Sequence, residues 1–537
     1  MRATSDRRAP GRGPAVRGAR GRSPVGPRRV AGTRPGVPEG WLLPVLGMAL
    51  ALALRLWALR WQPFITVDGT EYVRFAEALR AGRAFVSIFP PGYPALIALA
   101  RLLVFDRVLA AALVSLACGV LLVWPVWWLG RRALGARWAA LPVLAVALHP
   151  VLAVFSAVSM SESAYFLALY GGLALAAAAR GLPAGLAMGV AFAIRPEALV
   201  PAGALAAGGA ERAFRGSLRP RPAWLAAAGF LLVAVPCWLW FHATLGGWTV
   251  TPKLGALRPT VTDWRLDEPR LSPAPAPRGG GLGTLAHATA VAVRQYPSNA
   301  LGHGRSLLRL WPAPLLLLSL AGLARRRDLE AVPLLHLVAL PLLGLSAQPR
   351  FVLGAVPALA ILAVIPLTAT HGRWRMGLSA LALVGAAWGG ASLGRDLATP
   401  FDGWIDAHRN AGVWLSGVAP PGAIVMDRKP WVAFYAHCGY RVTPDEPYET
   451  LVGAAVRDGV RYLVVDQKVA EVFRSQLEPL LYDEGFRDRE QRLELIYVGG
   501  RVAGYGIGIF RVLQPGERRT GRPPTVEAAY LRGPARP

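Results

Sequence analysis

Apolar residues run in long blocks through most of this chain, and Arg-rich polar stretches separate them. Trp41–Trp61, Val108–Gly130, Trp138–Phe155, Glu162–Ala179, Trp224–Leu245, Pro314–Ala324, Val332–Ala347, Phe351–Thr370 and Met376–Leu393 each read as a membrane span. Leu182–Gly209 reads as two half-spans broken at Arg195-Pro196, because proline interrupts a helix and interrupted helices in a membrane line cavities. As a single span it would put Arg212, Arg215, Arg219 and Arg221 on the wrong side of the other Arg clusters. The pattern predicts a mainly α, polytopic helical membrane protein of about eleven spans.

Arginine placement predicts the orientation. Arg131, Arg132 and Arg137, then Arg180, then Arg325-Arg326-Arg327, then Arg373 and Arg375 fall after alternate spans, as expected for cytoplasmic loops. The N-terminus is then inside a plasma (inner) membrane. Thr66–Pro94, the turn Ser156–Ser161 and a long loop Gly246–Leu310, with an interfacial helix near Thr284–Tyr296, are then outside. From Arg395 the pattern changes. Trp404, His408, Ala411 and Leu415 have helical spacing, and Leu451, Val452, Ala455 and Val456 mark a second helix. Ala423–Met426 and Tyr462–Val465 read as buried strands ending in Asp427 and Asp466, and Ile496–Leu513 as a hairpin around Gly499-Gly500. The expected organisation is a disordered cytoplasmic tail (1–39), a transmembrane body (40–394), a small extracytoplasmic α/β domain (395–514) and a disordered tail (515–537).

A hydrophobic share of 54% and a mean hydropathy of +0.38 agree with this reading. The net charge of +27 would suggest nucleic acid, but the lysines are only Lys253, Lys429 and Lys468 and the arginines fall between apolar blocks, so no nucleic-acid partner is expected. Cys118, Cys237 and Cys438 form no disulfide framework or CxxC pair, and no His has HExxH spacing. A metal would need oxygen ligands. Arg278 opens a glycine-rich stretch without the Lys-Ser/Thr of a phosphate loop, which reads as a flexible loop.

Chemistry concentrates at the outer ends of the spans. In Thr66–Pro94, Tyr72, Phe75, Ala76 and Leu79 form one face of an interfacial helix, with Asp68 and Glu71 at its start. Asp68 reads as an N-cap, a functional carboxylate, or both. Glu162, after Ser161, reads as a helix-end charge or a second site carboxylate. Arg195 and Arg350 depart from the positive-inside pattern, and guanidinium pairs suit phosphate. Tyr93, in Pro90-Pro91-Gly92-Tyr93-Pro94, reads as an interfacial anchor, and Glu197 as a partner of Arg195 or a substrate group.

Taken in order, these residues resemble the GT-C membrane glycosyltransferases, and most closely the bacterial proteins grouped with glycosyltransferase family 39, the protein O-mannosyltransferases and the aminoarabinose transferases of lipid A. Asp68 with P-P-G-Y-P is similar to their first outer loop, Ser161-Glu162 to the second acidic motif, Arg195-Pro196-Glu197 to the basic-proline break, and Pro349-Arg350-Phe351 to the late Arg-aromatic motif. The soluble end, G-A-I-V-M-D-R-K-P-W-V-A-F-Y, resembles their terminal domain, so the likeness covers about residues 40–510. It implies inverting transfer of a sugar from a polyprenyl-phosphate donor to a lipid, glycan or protein acceptor at the outer face of the lipid membrane. Asp68 is then the general base, Arg195 and Arg350 bind the phosphate, and Glu71, Glu162 and Tyr93 contact substrate. Glu162 would place a substrate or share a divalent cation with Asp68. The mannosyltransferases often carry Asp-Glu in this loop, whereas Gly69 follows Asp68 here. The alternative is a transporter or flippase of lipid-linked sugar, which predicts mid-membrane charges and an internal repeat; no repeat is visible.

Overall fold

The apolar blocks become helices. The computed structural model describes residues 41–526 apart from 61–64, 88, 215–220, 246–247, 250–281, 326–328, 344–347, 399–403 and 503–504. The expected N-terminal tail, the Arg278 glycine stretch as far as residue 281 and much of the expected long loop lie outside the described residues. In order come α1 (Leu42–Leu59), α2 (Val67–Arg80), α3 (Gly92–Ala100), α4 (Arg107–Leu121), α5 (Val123–Leu134), α6 (Ala140–Leu148), α7 (Pro150–Ala157), α8 (Glu162–Ala177), α9 (Gly181–Ile194), α10 (Leu199–Phe214) and α11 (Arg221–Leu245). They are followed by α12 (Leu282–Leu310), α13 (Ala313–Arg325), α14 (Val356–Ala369) and α15 (Gly372–Ala398).

The chain is a multi-pass membrane protein. Five of the described helical segments are long and apolar enough to cross a bilayer, and seven if each of two bent pairs counts as one span. The other expected spans fall short of that length among the described residues for local reasons. Pro150 has no N–H, so Trp138–Phe155 is split into α6 and α7, bent by 53°, and the His149 side chain caps α7 by accepting from the Leu152 N–H. Helices α8 and α9 are apolar but only 16 and 14 residues long. Val332–Ala347 is not a continuous helix: Pro333 and Pro341 limit its described part to single turns over Leu329–Leu334, Leu335–Ala339 and Leu340–Leu343. Thr284–Tyr296, expected as an isolated interfacial helix, belongs to the 29-residue α12, which turns by 106° into α13. The break at Arg195-Pro196 is present: α9 ends at Ile194, and a single 3-10 turn over Pro196–Ala198 leads into α10.

Two features organise the body. Helix α14 is apolar on every side and is buried nearly throughout, as a helix hydrophobic all round must be. Helices α9 and α11 meet along Gly181, Gly185 and Gly189, spaced every four residues, which lie against Pro222, Ala226 and Val233. Small residues at this spacing allow close backbone approach, a main source of helix association in lipid. A Cβ at Gly185 would run into the Ala226 carbonyl.

The C-terminal region forms an α/β domain. Helix α16 (Trp404–Ser416) packs on a six-stranded sheet of β1 (Ile424–Asp427), β2 (Gly439–Val442), β3 (Tyr462–Asp466), β4 (Leu493–Val502), β5 (Tyr505–Val512) and β6 (Thr525–Val526), in the order β2-β1-β3-β5-β4-β6. Strand β1 pairs in parallel with β2 and β3, and β5 lies antiparallel between β3 and β4. Two expectations change here. Gly499-Gly500 lies within β4, at a register shift, and does not form the turn. Residues 515–526 are not a loose tail: Thr520 donates to Glu494 through its N–H and hydroxyl, and β6 pairs with β4. Buried Glu494 draws the segment onto the sheet because it needs donors. Residues 527–537 lie outside the described part.

Gly185→Leu, assayed by thermal unfolding in detergent, should lose about 1–3 kcal/mol by overpacking, whereas Gly171→Leu on open α8 surface should change little, since a Cβ there meets nothing.

Candidate functional site

The loop that opens α2 carries the first charge. Thr66 caps the helix by accepting from the Gly69 N–H at 2.9 Å, so Asp68 is not the cap. The Asp68 carboxylate is free of that duty and meets Arg350: Nη1 donates to Oδ2 at 2.7 Å. Arg350 sits on the short helix Pro349–Val352, one turn before buried α14. Both side chains are about a quarter exposed, at 25% and 26%.

A second charge group lies beneath. The break after α9 turns Arg195 inward, where it donates to Glu162 Oε1 at 2.9 Å and to Glu197 Oε1 at 3.3 Å. All three residues are buried. Isolated charges do not survive in such a place, whereas a hydrogen-bonded group of opposite charges does. The Arg195 guanidinium also donates to Ser161 Oγ, which shares a hydrogen bond with the Tyr72 hydroxyl at 3.1 Å. Phe351 joins the two groups, with the Arg350 guanidinium 4.9 Å and that of Arg195 5.8 Å from its ring centroid. Arg350 lies within Coulomb range of Glu162 and Arg195, and Tyr72 within that of Asp68, Glu162 and Arg195. Four of the expected site residues therefore converge.

Two others do not. Tyr93 is not at an interface. Its side chain is fully buried, and its hydroxyl bonds to Ser115 Oγ at 2.6 Å and the Ala111 carbonyl at 3.2 Å, holding α3 on α4. Its apolar ring outweighs its single hydroxyl, which α4 satisfies. Glu71 faces the return loop: Oε1 accepts from Ser87 Oγ at 2.7 Å, and Ser87 Oγ accepts from the Phe89 N–H. Burial raises the Glu71 carboxyl above its ordinary range, against the opposing pull of Ser87 and Arg74.

The site also contains Tyr72, read from the sequence only as part of an interfacial helix face, Ser161 and Phe351, which the motifs include without a role of their own, and Tyr165, which no motif includes. Glu162 Oε2, the Tyr165 hydroxyl, Ser159 Oγ and Arg350 Nε are buried without a hydrogen-bond partner among the described residues. Unsatisfied polar atoms clustered beside a half-open ion pair are what a polar ligand would meet.

Gly69 has a steric reason. A Cβ there would collide with Ser159, in the turn before Glu162. The second carboxylate expected from the resemblance has no room, because α2 lies against that turn. A cation shared by Asp68 and Glu162 does not fit these residues as they stand, since each carboxylate already faces a guanidinium.

The C-terminal α/β domain anchors the same loop. Its short helix Trp431–Tyr435 holds Ile65 from both sides: Trp431 Nε1 donates to the Ile65 carbonyl at 2.9 Å, and the Ile65 N–H donates to the Tyr435 hydroxyl at 3.2 Å. Arg107, at the start of α4, donates to the Phe434 carbonyl at 2.9 Å and stacks on that ring.

No protein-family model and no curated protein matches this chain. Solved structures do. The oligosaccharyltransferase of Archaeoglobus fulgidus in complex with Zn and sulfate aligns with a TM-score of 0.56 at 14% identity, over 85% of this chain and 72% of its own. AglB of the same organism, in complex with an inhibitory peptide and a dolichol-phosphate, gives 0.52 at 13% identity, over 87% and 74%. ArnT from Cupriavidus metallidurans bound to undecaprenyl phosphate gives 0.52 at 15% identity, over 88% and 98%. Both proteins belong to the GT-C superfamily, and this chain has the GT-C fold.

The two ion groups should respond differently to mutation. Glu162→Gln should cost about 3 kcal/mol by leaving a buried guanidinium short of charge, while Asp68→Asn should cost at most about 1 kcal/mol at its half-open position. Thermal unfolding of the two variants side by side checks this.

Proposed function

We propose that this protein transfers a sugar, with inversion, from a polyprenyl-phosphate donor to a lipid, glycan or protein acceptor at the outer face of the membrane. The observation that carries the proposal is the half-open Asp68–Arg350 ion pair above the buried Glu162–Arg195–Glu197 group, on a GT-C fold. Its solved neighbours include structures with dolichol-phosphate and undecaprenyl phosphate bound.

In this reading the donor phosphate draws Arg350 from Asp68, since a guanidinium binds phosphate bidentately. The freed carboxylate of Asp68 accepts the proton of an acceptor hydroxyl as its oxygen attacks the anomeric carbon. The bond from that carbon to the phosphate oxygen breaks on the opposite side, which inverts the centre. The departing polyprenyl phosphate keeps the electron pair, and Arg350 stabilises its charge. Arg195 is held by two carboxylates, so it is engaged within the bundle and positions Glu162 and Ser161 rather than binding the phosphate. Glu162 Oε2 and the Tyr165 hydroxyl are left to contact a substrate hydroxyl.

Arginine placement supports the orientation. Arg375 stacks on Trp138, at the start of α6, and the chain then runs through α6 and α7 to the turn before Glu162, so these arginines lie at the opposite end from the site. A flippase reading predicts an internal repeat, and none is visible in the sequence.

Asp68→Asn should lower transfer by a factor of about 10² or more with the fold intact, measured in membranes with a panel of polyprenyl-phosphate sugars. Retention of full activity would remove Asp68 from the base role. Arg350→Ala should mainly raise the donor concentration needed for half-maximal rate, and an unchanged donor dependence would count against the phosphate contact.

A further inference from the structure

Asp427 and Asp466 are the last residues of β1 and β3, two adjacent parallel strands of the soluble domain. His408 reaches the same point from α16, with its Nε2 3.2 Å from Asp466 Oδ2. A ring nitrogen of His408 and one oxygen of each carboxylate all lie within 4.8 Å of one another, and all three side chains are buried. The outer carboxylate oxygens are held by backbone: Asp466 Oδ1 accepts from the Val469 N–H at 2.9 Å, and Asp427 Oδ1 from the Lys429 N–H at 3.3 Å. Asp427 Oδ2 is buried and has no hydrogen-bond partner among the described residues.

Two neighbouring buried carboxylates repel, and a buried carboxylate oxygen without a donor is left uncompensated. A polar network built only for packing would give that oxygen a donor. One imidazole nitrogen with two carboxylate oxygens is instead a ligand set for a divalent first-row metal, while calcium prefers oxygen alone. The His408–Asp466 separation suits two ligands of one ion at about 2.0–2.2 Å from each. The location agrees with the general rule that open α/β sheets bind ligands at the carboxyl ends of their strands.

We propose that His408, Asp427 and Asp466 bind one divalent transition metal, of the zinc or manganese type, as a buried structural site with water completing the coordination. The backbone bonds from Val469 and Lys429 act as its outer shell, orienting the carboxylates. The His408 ring lies 5.3 Å from the ring of Trp431, whose indole holds the Ile65 carbonyl at the entry to α2. The metal therefore stiffens the support under the Asp68 loop. This site is separate from the membrane-level charges, and its binding of metal holds whether or not Asp68 is a base.

The full-length protein in nanodiscs, stripped with chelator and then dialysed against Zn²⁺, should retain about one equivalent of metal per chain. Co²⁺ should give visible ligand-field absorption that Zn²⁺ displaces. Zinc should raise the unfolding temperature of the wild type. The nearly isosteric Asp427→Asn should lower retained metal by about tenfold or more and abolish that rise, while Asp68→Asn should retain metal as the wild type does. If Asp427→Asn does not fold, the wild-type cobalt spectrum and its displacement by zinc decide. Wild-type protein without retained zinc or a cobalt spectrum would overturn the proposal. So would equal retention by Asp427→Asn, or loss of metal in Asp68→Asn with retention in Asp427→Asn.

Discussion

A buried guanidinium between two carboxylates sets the terms for the membrane body. Arg195 cannot stand in an apolar bundle without Glu162 and Glu197, and neither carboxylate can stand there without it. That mutual need brings the start of α8 to the break after α9, and Ser161 carries the link on to Tyr72 of α2. The break is part of the same constraint: an unbroken helix through Arg195-Pro196 would carry the guanidinium past its partners. Phe351 closes the group from the far side of the chain and places Arg350 over Asp68.

The two ion groups differ in availability, and that difference separates support from chemistry. The lower one is sealed and fully paired at Arg195. The upper one has a single short contact and is open enough for another anion to compete for Arg350. A rigid base beneath an exchangeable pair suits the phosphate exchange proposed above. The C-terminal α/β domain adds a second support. By holding both the N–H and the carbonyl of Ile65, the helix Trp431–Tyr435 fixes the chain just before Thr66, whose hydroxyl caps α2. Asp68 is thus placed by the helical body through Gly69 and Ser159 and by the C-terminal domain through Ile65.

Much of the fold was legible because its signals are local. Apolar blocks predict helices wherever they are long, and the proline at 196 predicts a break that is present. The strands ending at Asp427 and Asp466 stand where their short apolar runs place them. The failures had both local and distant causes. Pro150, Pro333 and Pro341 lie inside apolar blocks, where hydropathy averaged over a window conceals them. Residues 515–526 are polar, and their attachment depends on Glu494, a distant acceptor. A tyrosine beside a proline-glycine turn looks interfacial, as Tyr93 does in the sequence, and only α4 shows where its hydroxyl goes.

By itself, the sequence determined the membrane class, the helical blocks, the α/β tail domain and the identity of the charged landmarks, because hydropathy and charge are properties of each residue and its near neighbours. Tertiary structure alone decided the pairing: that Arg350 meets Asp68 across 282 positions, that Arg195 is sealed while Arg350 is open, and that Thr66 rather than Asp68 caps α2. It also decided why glycine follows Asp68, since the hydroxyl and carbonyl of Ser159 occupy the space a side chain would need. Burial and contact depend on which distant segments pack together, and no local pattern encodes them.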